Sequence, residues 1–329
     1  MNVLAGDIGG TSTRLILAQL NKQQRRVLCE ARYPSNQYSD LSEVIHFFLT
    51  DNQLDTELNA ACFAVAGPVK QGQASVTNLP WEISEAQLSA EFNIPAIKLI
   101  NDFIAVAYGI SELPESDFLF LQKGKQCAKG DAAVVGAGTG LGAAHLVWQQ
   151  SYYQAFSSEA GHAGFAPQNK LQCELLSWMQ ERHAYVSLEY LLSGQGLHRI
   201  YRFLHEVKNI AESPAVFEAM KTNAAPAVIS RFALSEEDDL CQRTLACFIE
   251  IFGAAAGNIA LHYYPLDSVY IGGGIAPKIK NKMLDSCFIN AFTNKAAMTS
   301  NMKDITVKLI CQEKAGLYGA LSQACRLIY

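Results

Sequence analysis

Apolar and polar residues alternate along this chain in blocks whose lengths separate strands from helices. Short apolar runs closed by glycine or proline are typical of buried strands, and amphipathic stretches that open at a capping side chain are typical of helices. Strands are predicted at residues 3–5, 15–18, 60–66, 97–100, 132–135, 143–147, 268–271 and 305–310. Helices are predicted at residues 40–49, from 84 onward, and at 103–110, 174–183, 187–192, 235–262 and 315–327.

The order of these elements occurs twice along the chain. In each half a strand, a glycine-rich turn and a return strand come first, and alternating helices and strands follow. The repeat is one of architecture, because the residues themselves do not match closely. It predicts an α/β protein with two lobes that face a ligand-binding cleft.

Both glycine-rich turns have residues suited to binding phosphate. Glycines let backbone N–H groups approach phosphate oxygens closely, and the paired glycines of the first turn permit positive φ. Asp7 precedes the first turn and is placed to hold Mg²⁺ through water. Thr11 and Thr139 add hydroxyl donors, one in each turn. If Asp7 and its glycines stood alone, a plain hairpin turn would explain them equally well.

The second turn also fits a rival pattern, that of a dinucleotide-binding site. Residues 138–143 match Gly-x-Gly-x-x-Gly/Ala, and Glu159 lies at about the distance expected of a ribose-binding acid. That fingerprint requires a helix directly after the glycines. Residues 143–147 have the pattern of a strand, which favours a phosphate-binding hairpin. A Walker P-loop does not occur in the sequence.

Three acidic sites are further candidates for chemistry. Asn101 and Asp102 end a strand and open a helix, where a carboxylate can accept a proton from a hydroxyl that the amide orients. An ordinary helix cap is the competing interpretation of this pair. Glu159 and His162 could hold a metal ion, but a third ligand at convincing spacing is missing, so contact with sugar hydroxyls is favoured. Glu189 alone has the character of a surface charge.

Composition narrows the class of protein. The 329 residues are 50% hydrophobic and 17% charged, with a net charge of −5, so a nucleic-acid partner or an anionic membrane surface is unsupported. The nine cysteines are scattered without Cys-x-x-Cys spacing, which fits a reducing cytoplasm. No signal peptide and no uninterrupted membrane-spanning stretch are apparent, so a cytoplasmic location is expected.

Seven motifs in one order over nearly the whole chain resemble those of the bacterial glucokinases, within the hexokinase, Hsp70 and actin superfamily. Each motif is modest alone, but the ordered set is specific. The motifs are residues 6–11, Thr77-Asn78 with Trp81, Asn101-Asp102-Phe103, residues 136–142 with His145, residues 159–167, residues 187–194 and residues 271–277.

The resemblance implies a two-lobed, actin-like ATPase fold of the ribonuclease H-like type, with the active site in the interlobe cleft. It implies a small domain at 1–110 plus 311–329 and a large domain at 111–310. The implied reaction moves the γ-phosphoryl group of MgATP to the 6-hydroxyl of D-glucose, with Asp102 as catalytic base. Family members are often dimers, so a homodimer is expected.

The resemblance also implies a role for each remaining site residue. Asp7 is expected to hold Mg²⁺ through water. The expected sugar contacts are Asn78, Asn101, Asp102, Glu159, His162 and Glu189. The expected nucleotide contacts are Gly6, Asp7, Ile8, Gly9, Gly10, Thr11, Gly138, Thr139, Gly140, Gly272, Gly273 and Gly274.

The sequence departs from the family pattern at two places. Ala160 replaces a usual glycine, and Leu79-Pro80 differs from the usual residues after Asn78. A cysteine-rich zinc motif of the sister repressor-like kinases is missing, which favours the zinc-free glucokinases. A kinase for another hexose, a sugar sensor without activity and a dinucleotide enzyme remain as alternatives.

Overall fold

The computed structural model of the chain describes residues 1–21, 24–53, 57–125 and 130–328. The strands, in chain order, are β1 (Asn2–Ile8), β2 (Ser12–Asn21), β3 (Gln24–Pro34), β4 (Ala60–Val65), β5 (Val69–Lys70), β6 (Gln73–Ser75), β7 (Glu82–Ser84), β8 (Ala96–Asn101), β9 (Phe118–Gln122), β10 (Ala132–Ala137), β11 (Leu141–Gln149), β12 (Tyr152–Ser158), β13 (Ser268–Gly272) and β14 (Thr306–Ile310).

The helices do not alternate strictly with these strands, because five of them follow one another between β12 and β13 and three between β13 and β14. They are α1 (Leu41–Asp51), α2 (Glu85–Phe92), α3 (Asp102–Gly109), α4 (Lys170–Gln180), α5 (Gly194–Glu206), α6 (Pro214–Thr222), α7 (Ala225–Leu234), α8 (Asp239–His262), α9 (Lys280–Met283), α10 (Ser286–Thr293), α11 (Thr299–Lys303) and α12 (Ala315–Arg326).

The chain divides into two compact units. Unit 1 comprises Met1–Ser116, Gln149–Ala155 and Gln312–Tyr329, and unit 2 comprises Asp117–Trp148 and Phe156–Cys311. The division expected from the sequence, 1–110 plus 311–329 against 111–310, differs from these units at 111–116, 149–155 and Cys311. The segment 149–155 contacts the rest of unit 1: the Ala155 N–H donates to the Tyr108 hydroxyl at 3.4 Å, and the Arg326 guanidinium lies 4.6 Å from the Tyr152 ring centre.

Unit 1 is built on a five-stranded sheet in the order β3-β2-β1-β4-β8. β1, β4 and β8 run parallel, and β2 pairs antiparallel with β1. Both faces of the sheet are buried, so alternate residues enter two different cores. Leu4 and Phe63 belong to one core, and Val3 and Cys62 belong to the other.

Unit 2 repeats the same strand arrangement in a six-stranded sheet, ordered β12-β11-β10-β13-β14-β9. β10, β13 and β14 run parallel, and β11 pairs antiparallel with β10. Helix α8 is the one described helix long and apolar enough to cross a membrane, but 78% of its most apolar window is buried. It is therefore explained as the central helix of the unit 2 core.

Two local predictions are wrong. Residues 187–192 do not form a helix, because the N–H groups of Leu188 and Glu189 donate to the carbonyls of Ala163 and Gly161 at 2.8 and 2.9 Å. Helix α5, which the sequence analysis missed, begins just after this segment at Gly194. Positive φ is also not used by the paired glycines near Asp7, since Gly72 and Gly273 are the described glycines with positive φ.

Candidate active site

The first glycine turn, residues 9–11, joins β1 to β2 at the carboxyl end of β1. The Gly9 N–H donates to the Ser12 carbonyl at 3.1 Å and closes the turn. Ser35 directly follows β3 and fixes the turn with two hydrogen bonds. Its hydroxyl donates to the Gly9 carbonyl at 2.7 Å, and its N–H donates to the Thr11 carbonyl at 3.2 Å. The exposed Thr11 lies at the tip, where its hydroxyl is open to a ligand.

Gly6 and Ile8, two of the expected nucleotide contacts, lie within β1 and are buried. A Cβ at Gly6 would lie 2.8 Å from the Phe63 ring, so this glycine is required by packing within β1. The Ile8 side chain is fully buried in the core of unit 1. Neither side-chain position faces a ligand, and Ile8 could contact a nucleotide only through its backbone.

Asp7 and Asp102 form an acidic pair beside this turn. Asp7 lies near the carboxyl end of β1 and Asp102 directly follows β8, which runs parallel in the same sheet, so both reach the edge where ligands of α/β sheets bind. Burial raises the pKa of Asp7 from 3.8 to about 6, the Asp102 carboxylate adds to the rise and Arg14 opposes it. Burial also raises the pKa of Asp102, while hydrogen bonds from Phe103 and Asn101 oppose the rise.

Asn101, and not Asp102, caps helix α3. Its Oδ1 accepts from the N–H groups of Phe103 and Ile104 at 2.9 and 3.3 Å, and its Nδ2 donates to the Gly67 carbonyl at 3.2 Å. Asp102 is the first helical residue, and its Oδ1 accepts from the Phe103 N–H at 2.8 Å. The Asn101 amide thus fixes the start of α3, and it also forms a hydrogen bond with the Asp102 carboxylate.

Asn78 stands in a tight turn close to the first glycine turn. The Leu79 N–H donates to the Val76 carbonyl at 3.2 Å, and Asn78 has a left-handed φ of 65° that asparagine tolerates. A Cβ at Gly10 would lie 2.7 Å from the Thr77 carbonyl, so the two turns touch and Gly10 has no room for a side chain. Asn78 is exposed, whereas Trp81, part of the same sequence motif, is buried in the core.

The second glycine turn, residues 138–140, joins β10 to β11 in unit 2. The Gly138 N–H donates to the Gly140 carbonyl at 2.8 Å, and the Gly138 carbonyl accepts from the N–H of Gly194, the first residue of α5, at 3.0 Å. Thr139 is exposed at the tip. A strand and not a helix follows the glycines, so the dinucleotide fingerprint lacks its required element, as the sequence pattern predicted.

Glu189 lies against this second turn and is half-buried. Its Oε2 accepts from the Leu141 N–H at 2.9 Å, and a Cβ at Gly140 would overlap the same oxygen. Interpreted alone, Glu189 resembled a surface charge; the structure instead gives it a fixed backbone partner. Its N–H donates to Gly161, so Glu189 also touches the segment that carries Glu159 and His162.

Glu159 and His162 flank a single helical turn at Ala160–His162. Their side chains are 88% and 63% exposed, and Oε2 of Glu159 lies 3.7 Å from Nε2 of His162. The Tyr185 hydroxyl donates to the His162 carbonyl at 2.9 Å and steadies the segment. Among the described residues no group of three or more His, Cys, Asp or Glu side chains could hold a metal ion. Both side chains are free to contact polar groups of a ligand.

The third glycine segment, residues 272–274, ends β13 next to the second turn. Gly273 has a φ of 82°, and a Cβ there would overlap the Ala137 carbonyl, so glycine is required. A Cβ at Gly274 would meet nothing within 4 Å. Gly272 pairs with Gly136 across the parallel strands. The segment therefore leaves open space beside the second turn at Gly274.

The predicted site residues thus fall into two groups, each assembled within one unit. Unit 1 brings together Asp7, Gly9, Gly10, Thr11, Asn78, Asn101 and Asp102, and unit 2 brings together Gly138, Thr139, Gly140, Glu159, His162, Glu189 and the glycines at 272–274. Sequence reasoning missed Ser35, the start of α5 and Gly316. Ser193-x-x-Gly196 at the start of α5 was a readable capping signal, whereas Ser35 lies on another strand and carries no motif.

Comparisons with known proteins give one consistent match. A family model described as Glucokinase matches residues 4–326. A glucokinase of Nostoc sp. is 41% identical over 99% of both chains. The crystal structure of a glucokinase from an Antarctic psychrotroph has a TM-score of 0.85 at 32% identity over 99% of both chains. A ROK family glucokinase from Streptomyces griseus, solved with glucose and AMPPNP, has a TM-score of 0.67 at 18% identity, covering 99% of this chain and 100% of that one, and shows the fold alone.

Proposed function

This chain belongs to the glucokinase family, and from that premise we propose that it transfers the γ-phosphoryl group of ATP to the 6-hydroxyl of D-glucose. The observation that carries the residue assignment is the acidic pair of Asp7 and Asp102 beside the first glycine turn. A phosphoryl transfer needs a proton acceptor and a site for phosphate charge in one place, and unit 1 supplies both.

Asp102 is assigned as the base that accepts the proton of the 6-hydroxyl. Burial raises its pKa, which makes it a stronger proton acceptor than an exposed aspartate. Asn101 fixes Asp102 by capping α3 and by a hydrogen bond to its carboxylate, and it is also assigned as a sugar contact. Because the transition state is loosely bonded, most of the rate gain comes from such positioning.

The other sugar hydroxyls are assigned to Asn78, Glu159, His162 and Glu189. All four present amide, imidazole or carboxylate groups that pair with hydroxyls, and the exposure of Asn78, Glu159 and His162 leaves them free to do so. A site that pairs with each hydroxyl rejects a sugar that leaves one of its groups unmatched. Glucose is therefore expected to be preferred over galactose and fructose.

The nucleotide phosphates are assigned to the two glycine turns, and the adenosine is assigned near residues 272–274. The exposed hydroxyls of Thr11 and Thr139, the N-terminus of α5 beside Gly138 and the open space at Gly274 support this assignment. The backbone at these positions can approach a phosphate closely, because side chains are absent.

Mg²⁺ fits Asp7. The two neighbouring carboxylates concentrate negative charge beside the first glycine turn, and Gly316 places no Cβ next to Asp7, where one would lie 3.6 Å from Oδ2. A magnesium site typically uses one or two carboxylates and keeps several waters, so the lack of a larger ligand cluster in the described chain is compatible with it. When bound, the ion would neutralise phosphate charge; Asp7 would hold it, through water.

We further infer that the two units share the ribonuclease H-like arrangement, which the matching orders β3-β2-β1-β4-β8 and β12-β11-β10-β13-β14 support. The same proposal assigns residues of both units to one reaction. It also assigns the enzyme to the cytoplasm as the first step of glycolysis, and expects a homodimer. Sedimentation at micromolar concentration would test the oligomeric state.

A coupled assay tests the proposed function. ATP-dependent formation of a sugar 6-phosphate would be measured with glucose, mannose, galactose and fructose, each with excess Mg²⁺ and with a magnesium chelator. Turnover of glucose above the other sugars, lost with the chelator, is expected. Equal specificity constants for glucose and galactose would contradict the sugar assignment, and turnover without Mg²⁺ would contradict the role of Asp7.

A further inference from the structure

The contact between Glu189 and the second glycine turn joins a sugar-binding side chain to a phosphate-binding backbone. We infer that this contact couples glucose binding to nucleotide binding within unit 2. The inference rests on the proposed function, which assigns Glu189 to the sugar and residues 138–140 to phosphate, and it adds a thermodynamic link that neither assignment contains.

Glu189 is fixed at both ends of the residue. Its backbone N–H donates to the Gly161 carbonyl at 2.9 Å, and its Oε2 accepts from the Leu141 N–H at 2.9 Å. An N–H bound to a carboxylate is among the stronger hydrogen bonds in proteins. The other oxygen, Oε1, has no hydrogen-bond partner within the described part of the chain and is left for a sugar hydroxyl. The position of that oxygen therefore depends on the position of the turn.

The turn is itself held by the same short segment. Five residues after Glu189, the Gly194 N–H donates to the Gly138 carbonyl at 3.0 Å. Gly161 packs against Leu141 so closely that a Cβ on Gly161 would overlap the Leu141 carbonyl. Leu141 is buried, with 6% of its surface exposed, so its N–H cannot move independently of the core. The second glycine turn, residues 159–162 and residues 189–194 are therefore expected to move as one unit.

A ligand that orders one part of this assembly lowers the cost of ordering the rest. Phosphates on residues 138–140 would hold the Leu141 N–H, and with it the Glu189 carboxylate, in the sugar-binding position. Coupling between two binding sites is reciprocal, so glucose must strengthen nucleotide binding by the same factor. For the unmodified protein we expect AMPPNP to lower the Kd for glucose by about fivefold or more, the lower end of usual coupling factors.

Two alanine variants separate this coupling from a general disturbance. Gly140 does not have positive φ, so the backbone tolerates alanine there. A Cβ at Gly140 would overlap Oε2 of Glu189, and the flexible carboxylate would have to leave the Leu141 N–H. Cys173 is the control position, because it is exposed on α4 in unit 2 and belongs to none of the assigned sugar or nucleotide contacts.

Calorimetric titration of glucose, with and without AMPPNP, measures both quantities. Without nucleotide, Gly140→Ala is expected to weaken glucose binding about tenfold or more, because a charge-assisted hydrogen bond is lost, whereas Cys173→Ala should stay within about twofold of the unmodified protein. The coupling factor should fall to about one in Gly140→Ala alone. Equal glucose affinities in the two variants, or an unchanged coupling factor in Gly140→Ala, would overturn the inference.

A second pair keeps the test decisive if Gly140→Ala folds poorly. Glu189→Asp withdraws the carboxylate from the Leu141 N–H, while Glu159→Asp shortens an exposed acid whose carboxylate lies 3.7 Å from the His162 imidazole. Both should bind glucose more weakly, but only Glu189→Asp should lose the coupling factor. If both keep it or both lose it, the inference fails. Unmodified protein that binds no glucose would instead contradict the proposed function.

Discussion

The two glycine turns occupy the same position in two similar sheets, yet different chemistry surrounds them. The first is held by buried hydroxyls and lies beside two carboxylates with raised pKa values. The second is held by close backbone contacts and by Glu189, beside glycines at 272–274. A repeated backbone frame therefore does not imply a repeated role. Unit 1 contains the carboxylates that can exchange a proton, Asp7 and Asp102. Unit 2 contains glycines and fixed backbone contacts, which determine the shape of its site.

This difference has an energetic side. Unit 1 keeps a buried carboxylate pair that disfavours the folded state at neutral pH, because burial and mutual repulsion both oppose ionisation. Unit 2 holds its turn with hydrogen bonds that do not depend on the protonation of an aspartate. The comparison predicts that changes in unit 1 alter catalysis and pH dependence, and that changes in unit 2 alter ligand affinity.

The largest expected effect is that of Asp102→Asn. The amide is a far poorer base, so kcat should fall by about 10²–10⁴-fold. Stability should not fall, because Asn101 supplies the cap of α3 and the new side chain still offers an oxygen to the Phe103 N–H, and the loss of one charge of the pair should raise it. Steady-state kinetics measures kcat, and thermal unfolding followed by circular dichroism measures stability.

Asp238→Asn is the matched control for Asp102→Asn. Asp238 caps α8 in unit 2, and its Oδ1 accepts from the Cys241 N–H at 2.7 Å. This variant should keep kcat. Near-normal turnover in folded Asp102→Asn protein would remove Asp102 from the mechanism.

The next effect concerns Asp7 and the pH dependence of stability. The folded protein raises the pKa of Asp7 from 3.8 to about 6, so between these values the folded state binds more protons than the unfolded state and stability falls as pH rises. Above pH 6 the full cost is present. Asp7→Asn should therefore stabilise the metal-free protein at pH 7.5 by roughly 2–3 kcal/mol at most, while it weakens the use of MgATP.

Urea unfolding at pH 7.5 and at pH 4 checks this prediction. The gain from Asp7→Asn should shrink toward zero at the lower pH, where Asp7 is protonated in the folded state. Asp285→Asn, an exposed aspartate of unit 2, serves as the control and should show no such pH-dependent gain. A variant of Asp7 that is no more stable at pH 7.5 would show that the carboxylate pair is not strained by its charge.

A smaller effect is expected from Ser35→Ala, which removes the hydroxyl behind the first glycine turn. The Gly9 carbonyl loses its donor at 2.7 Å, and the buried Thr13 hydroxyl loses its partner at 3.0 Å. We expect a stability loss of about 1–3 kcal/mol and a several-fold rise in KM for ATP. Thr244→Val removes a buried hydroxyl that donates to the Leu240 carbonyl in unit 2 and should cost similar stability without changing KM. Equal KM values would make Ser35 purely structural.

The sequence predicted the repeated arrangement because β1, β4, β8, β10, β13 and β14 are short apolar runs and the turns after β1 and β10 contain glycines. It did not predict β3, β5, β6, β7, β9 and β12, which lack a marked apolar run or lie outside the repeat. The match to the glucokinase family is confirmed over residues 4–326. Contacts between distant segments could not be predicted. Ser35 reaches Gly9 across a strand pair, and Glu189 reaches Leu141 because residues 187–192 pair with the sugar segment instead of forming a helix. Such contacts depend on tertiary packing, which local periodicity does not contain.

The smallest effect is expected at Gly274, and it sharpens the role of unit 2. A Cβ at this position meets nothing within 4 Å, so Gly274→Ala should leave the free energy of unfolding within about 0.5 kcal/mol of the unmodified protein. If adenosine lies against this residue, the added methyl group should still weaken AMPPNP binding by a fewfold. Gly273→Ala is the contrasting variant, because its φ of 82° and the overlap with the Ala137 carbonyl should cost about 1–3 kcal/mol of stability. Thermal unfolding and AMPPNP titration of both variants distinguish a glycine that the backbone conformation requires, Gly273, from one that leaves space for a ligand, Gly274. Unchanged AMPPNP affinity in Gly274→Ala would move the adenosine away from this segment and leave the second glycine turn as the nucleotide contact of unit 2.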